Sequence, residues 1–94
     1  MREKVRGHRR SKNYREVIGV ITRSLYEKEG RYFFDVLTEE TVDGKLVRVP
    51  HIIQVGVGTL DAVRRRVRDG FNIWAEGSHS AFNTLILWDF ITWS

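Results

Sequence analysis

The side chains of this chain that could do chemistry are three histidines, a few clustered acids, and many rings and arginines. Their spacing favours stacking and phosphate contact over catalysis. His8, His51 and His79 follow no metal-ligand pattern such as HExxH, and the chain has no cysteine. Neither a zinc site nor a thiol nucleophile is expected. The run GVG at Gly56–Gly58 lacks the lysine of a phosphate-binding loop and the full GxGxxG pattern, so it reads as a strand-to-helix turn. Ser78, His79 and Ser80 are adjacent in sequence, whereas a triad needs proximity in space. Glu39, Glu40 and Asp43 belong to a turn, where solvation explains them. The expectation is a protein that is not an enzyme and carries no cofactor or metal. What remains is eleven rings (five Phe, three Trp, three Tyr) among sixteen Lys and Arg. Rings as base platforms and cations for phosphates are the ingredients of single-strand nucleic-acid binding, at about 1–3 kcal/mol per stacked base.

Ninety-four residues allow one domain with one modest core. No apolar run approaches the roughly 20 residues that span a bilayer. The start of the chain is charged from Arg2 and has no signal-peptide core. An intracellular, cytoplasmic location without membrane contact is expected, nucleoid-associated in a bacterium. The net charge of +4 is unevenly placed: residues 1–15 hold seven basic side chains against Glu3 alone. Residues 1–13, with Arg9, Arg10 and Lys12, are expected to form a flexible basic arm that meets polyanions. Residues 14–94 are expected to form the folded domain.

Positioning these side chains falls to five strands and one helix. Residues 14–23 read as the first strand, with Gly19 at a barrel corner, and 31–38 as the second. Asp43-Gly44 is a hairpin signal feeding a third strand at 45–57. Gly58, Leu60, Val63 and Val67 have helical spacing, predicting a helix over 59–69 stopped by Gly70. Strands at 71–77 and 84–93 complete the chain. A helix between strands three and four predicts an all-β, five-stranded Greek-key barrel of the OB type.

Alternation within the strands nominates the outward side chains. Asp35 disfavours the interior, so Arg31, Phe33 and Leu37 face out with it, while Tyr32, Phe34 and Val36 face in. Phe33 beside Arg31 is the first choice of base platform. Arg48 is a phosphate contact on strand three, and Tyr26 in the first loop is an alternative platform. Trp74 faces outward, toward either a base or a subunit interface, whereas Trp88 and Phe90 read as core. The arginines at 64, 65, 66 and 68 read as the solvated face of the helix.

The run His51-Ile52-Ile53, then Gly58, Leu60, Gly70 and the strand Ile73-Trp74-Ala75-Glu76-Gly77, resembles the bacterial single-stranded DNA-binding protein family. It also resembles that family's shortened relative, primosomal replication protein N. The resemblance runs from about Tyr14 to Trp93. It implies sequence-independent binding of single-stranded DNA in replication, recombination or repair, by a homodimer or homotetramer with strand one or His51 at the contact. Three positions depart from the pattern: Pro50 replaces an aromatic, Ile52 replaces an arginine, and Val57 stands near another common aromatic. The family's acidic tail is missing, which fits an accessory, viral or plasmid-type version, or a domain of a longer protein. Two alternatives stay open at this point. The same rings stack RNA bases, with only 2′-hydroxyl contacts to tell the polymers apart. A protein-interaction OB module of a larger assembly would instead bury Phe33 and Trp74 against another subunit.

Overall fold

A computed structural model describes residues 12–94; Arg9 and Arg10, and most of the expected arm, lie outside the described residues. Strands β1 (Tyr14–Lys28), β2 (Arg31–Val42) and β3 (Lys45–Val55) form a meander. A 3₁₀ turn (Val57–Thr59) leads into helix α1 (Leu60–Arg66), followed by β4 (Asn72–His79) and β5 (Thr84–Trp93). The strands close into a barrel in the order β1-β2-β3-β5-β4. All pairings are antiparallel except β3 with β5, which meet in parallel over Ile52–Gln54. The five-stranded OB architecture with its helix between β3 and β4 is as expected.

Both hairpins of the meander turn on two residues in the left-handed region, Glu29-Gly30 (φ 54° and 78°) and Asp43-Gly44 (φ 52° and 77°). These primed turns match the twist of the flanking strands. The inward row of β2 is Phe34, Val36 and Thr38, all buried, with Tyr32 half-buried at the barrel mouth. Ile21, Ile53, Ile73 and Leu85 meet this row from the other strands. Val63 and Val67, both buried, plug one end of the barrel.

Several boundaries differ from expectation. β1 runs on to Lys28 instead of stopping at residue 23, so Tyr26 lies in a strand and not in a loop. Two irregularities, between Ile21 and Arg23 and between Arg23 and Tyr26, each insert one extra residue against β2. The helix ends at Arg66: Val67 turns extended (φ −89°, ψ 116°) so that its side chain enters the core. Gly70 therefore does not stop the helix. It lies in the following turn, its N–H donating to the Ile21 carbonyl at 2.7 Å. β3 stops at Val55, two residues early, and leaves Val57 exposed. Trp88 leaves the core because the β4–β5 register shifts beside Glu76, and its ring stands 6.1 Å from that of Tyr14.

Candidate nucleic-acid interface

The outer face of β1, β2 and β3 carries a compact group of rings and cations. Tyr26 lies opposite Phe33, Phe33 opposite Gln54, and Gln54 opposite Ile86 of β5. The Tyr26 and Phe33 ring centroids are 5.8 Å apart at an interplanar angle of 31°. The Arg23 guanidinium carbon sits 3.7 Å from the Tyr26 ring centroid, a cation–π contact that orients both groups. The Tyr26 hydroxyl donates to Asp35 Oδ1 at 2.7 Å. Burial, then that hydrogen bond and the Asp35 charge, push the phenol up to about 12 against the opposing pull of Arg23. The ring is thus uncharged at neutral pH and presents no anion to a phosphate chain.

The other expected site residues are dispersed. Arg31 is exposed where β2 begins, opposite Lys28. Arg48 stands on the β2–β3 hairpin, its Nε 3.6 Å from Glu39 Oε2 in a largely exposed ion pair. Such pairs are worth about 0–1 kcal/mol, so the guanidinium is readily released to another anion. Lys12 is exposed at the start of the described chain. Trp74 lies on another face, opposite Ile18 of β1 and Ile91 of β5, its Nε1 donating to Glu16 Oε2 at 3.3 Å. Ile18 and Tyr26 are eight residues apart along β1, at most about 26 Å at about 3.3 Å per residue. Phe33, Tyr26 and Arg31 therefore share one face and Trp74 does not.

Two residues of this surface escaped the reading of the sequence. Arg23 was the expected end of strand one, and the irregularities that lay it over Tyr26 leave no trace in a period of two. Phe82 is 93% exposed in the loop between β4 and β5 and holds φ 59°. A bulky residue in the left-handed region is an outlier. The loop is tied to the same face: Ile52 N–H donates to the Asn83 carbonyl at 3.1 Å, and Ile52 pairs with Asp35 on its other side. The one signal for Phe82 was a ring inside the polar segment Ser80–Asn83.

His51 is half-buried below this face. Its Nε2 is 3.0 Å from Thr38 Oγ1, and the Thr38 hydroxyl donates to the Val49 carbonyl at 3.3 Å. The Thr38 oxygen is then the acceptor for an Nε2–H. Burial holds the imidazole below its ordinary pKa, with His79 adding to the shift and Glu40 opposing it. Among the described residues no group of three or more histidines and carboxylates is placed to hold a metal ion. None of the described helices is long and apolar enough to cross a membrane.

No protein-family model matches the sequence, and no curated protein matches it. Solved structures do resemble the fold. A Plasmodium falciparum SSB in complex with ssDNA superposes with a TM-score of 0.69 at 20% identity, covering 90% of this chain and 97% of that one. The mitochondrial single-stranded DNA-binding protein Rim1 of S. cerevisiae gives a TM-score of 0.65 at 16% identity, covering 84% and 91%. At such identities the likeness is one of architecture: the chain has the OB-type barrel of these single-stranded DNA-binding proteins over nearly its whole described length.

Proposed function

We propose that the chain binds single-stranded DNA with little sequence preference and performs no catalysis, serving DNA replication, recombination or repair inside the cell. The observation that carries this reading is the Tyr26–Phe33 ring pair with the Arg23 guanidinium laid on it, open on the outer face of the barrel. Stacking is indifferent to base identity because every base has a π-face, and the neighbouring cations supply the phosphate contacts. Arg31 adds a cation on this face and Phe82 a ring at its rim, while Arg48 on the hairpin and the basic residues Arg9, Arg10 and Lys12 of the sequence add positive charge for phosphates. The fold shared with a protein solved in complex with ssDNA supports the same reading.

The test is a salt-dependent titration of a labelled 30-nucleotide poly-dT, with duplex DNA and a matched RNA as competitors. Tight binding that duplex does not displace is expected. Weak binding shared equally with duplex would overturn the reading and favour a protein-interaction module. Preferential displacement by RNA would redirect it to RNA.

A second surface supports self-association. Ile18 is 61% exposed and Ile91 60% exposed, flanking Trp74 on the outer face of β1, β4 and β5, with Trp93 also exposed nearby. A contiguous apolar strip on the barrel surface is well suited to an isologous contact between two copies. We assign Trp74 to this contact and not to a base. Sedimentation of the unmodified protein and of Ile91→Lys should show a homodimer or homotetramer falling toward monomer.

A further inference from the structure

The helix end of the barrel holds a groove that the outer-face site does not use. It has a volume of about 360 Å³ and lies between the end of β1, the start of β2 and the segment 64–68 at the end of α1. That volume falls within the range of about 300–1,000 Å³ usual for small-ligand sites. Tyr26, Tyr32, Arg64 and Arg68 are among the residues that line it. Arg64 lies in the last turn of the helix and Arg68 just beyond its end, and both line the groove. Among the described residues neither arginine pairs with a carboxylate. Asp69 is committed to the Ser24 N–H at 2.7 Å, and Arg68 Nη1 donates to the Arg64 carbonyl at a long 3.3 Å. Glu27, also at the groove, is the one acid on its lining.

Tyr26 belongs to both places. Its ring meets Phe33 on the outer face and also forms part of the groove wall. A polymer stacked on Phe33 and Tyr26 therefore adjoins the groove that Arg64 and Arg68 also line. We infer that this groove is a second nucleic-acid subsite, in which Arg64 and Arg68 take phosphates of a strand that leaves the outer face past Tyr26 and bends around the barrel end. The inference rests on the single-strand reading given above, and it replaces the expected solvated role of these two arginines with a binding one. Arg65 and Arg66 are not part of the groove and keep the solvated role.

The experiment compares salt slopes on two lengths of oligo-dT, about 8 nucleotides, within the 4–16 of one OB barrel, and about 30. Arg64→Gln with Arg68→Gln should shallow the slope on the long strand by about 1.4, two phosphates at about 0.7 each, and leave the short strand unchanged. Arg64→Lys with Arg68→Lys should retain the long-strand slope. Arg65→Gln with Arg66→Gln removes the same charge from the same helix and should change neither slope. An unchanged long-strand slope in the first variant, or an equal loss in the Arg65 and Arg66 variant, overturns the subsite while leaving the outer-face site standing. Absence of binding by the unmodified protein overturns both.

Discussion

Phe82 spends stability where no packing repays it. A left-handed backbone costs a residue with a side chain about 1–2 kcal/mol, and the ring at this position is almost wholly exposed. Such an arrangement makes sense if the ring meets a ligand. Phe82→Gly is therefore expected to unfold at the same or a higher temperature while binding poly-dT about 1–3 kcal/mol more weakly. A lowered melting temperature would remove the strain argument, and unchanged affinity would remove the ring from the site. Phe33 makes the complementary case, because it packs on Tyr26. Phe33→Ala should cost about 1–3 kcal/mol of binding, whereas Tyr26→Phe, which keeps the ring and loses only the bond to Asp35, should cost less than about 1 kcal/mol. His51 is expected to act on stability. Its pKa is lowered by burial, so the native state favours neutral imidazole and the unfolded chain takes up the proton first. That contribution is intact above pH 6.5 and is lost as the pH falls below it. The cavity beside His51 is also lined by Arg15, Glu16, Glu40 and His79, of which Glu40 opposes the shift and His79 adds to it. Thermal melts from about pH 7.5 to about pH 5 should show a fall in stability that His51→Asn flattens. Equal slopes in both proteins would exclude His51 as its source.

Among the elements, β1 does the most to place the site, and it was the least legible. Its first half pairs with β4 and its second half with β2, so a single strand supplies Ile18 to one face and Arg23 and Tyr26 to the other. The change of partner brings β1 against β2 at Gly19, where a Cβ would lie 2.2 Å from the Leu37 carbonyl oxygen. Gly58 is the opposite case, with nothing within 4 Å of its would-be Cβ. Gly19→Ala should lose about 1–3 kcal/mol of stability, or roughly 4–24 °C in Tm, because a backbone oxygen must move. Gly58→Ala should stay within about 0.5 kcal/mol. Equal effects would show that the close approach does not set the path of β1. The strand alternation in 31–38, the Asp43-Gly44 turn and the limits of β5 were all readable, because each follows from local chemistry alone. The second half of β1 was not. Two inserted residues reset its alternation, and their location depends on which strand β1 leaves and which it joins. The groove position of Arg64 and Arg68 is illegible for the same reason: nothing local shows that they line one groove with Tyr26 and Tyr32. Phe33 was legible because Asp35 fixed the direction of its neighbours.

At the scale of the whole molecule, charge and rings divide the work. Residues 1–13 carry six basic side chains against one acid, so residues 14–94 hold a net charge of −1. A body with almost no net charge gains little from long-range attraction to DNA, and any affinity of its own must come from rings and from local grouping of cations. That grouping exists: Arg23, Arg31, Arg64 and Arg68 lie around the Tyr26 end of the barrel, while Glu39, Glu40 and Asp43 lie on the β2–β3 hairpin. The basic segment should then set how strongly the protein is drawn to any polyanion, and the barrel should set which polyanion it keeps. Deleting residues 1–13 is expected to weaken poly-dT binding and to shallow its salt slope by at most about 4, six cations at about 0.7 each. The preference for single strand over duplex should survive, since duplex bases cannot stack on Tyr26 and Phe33. Competition between poly-dT and duplex for the truncated protein reads this directly. Complete loss of binding would mean that the barrel contributes no site of its own. Loss of the preference alone would mean that the discrimination resides in residues 1–13 and not in the rings of the outer face.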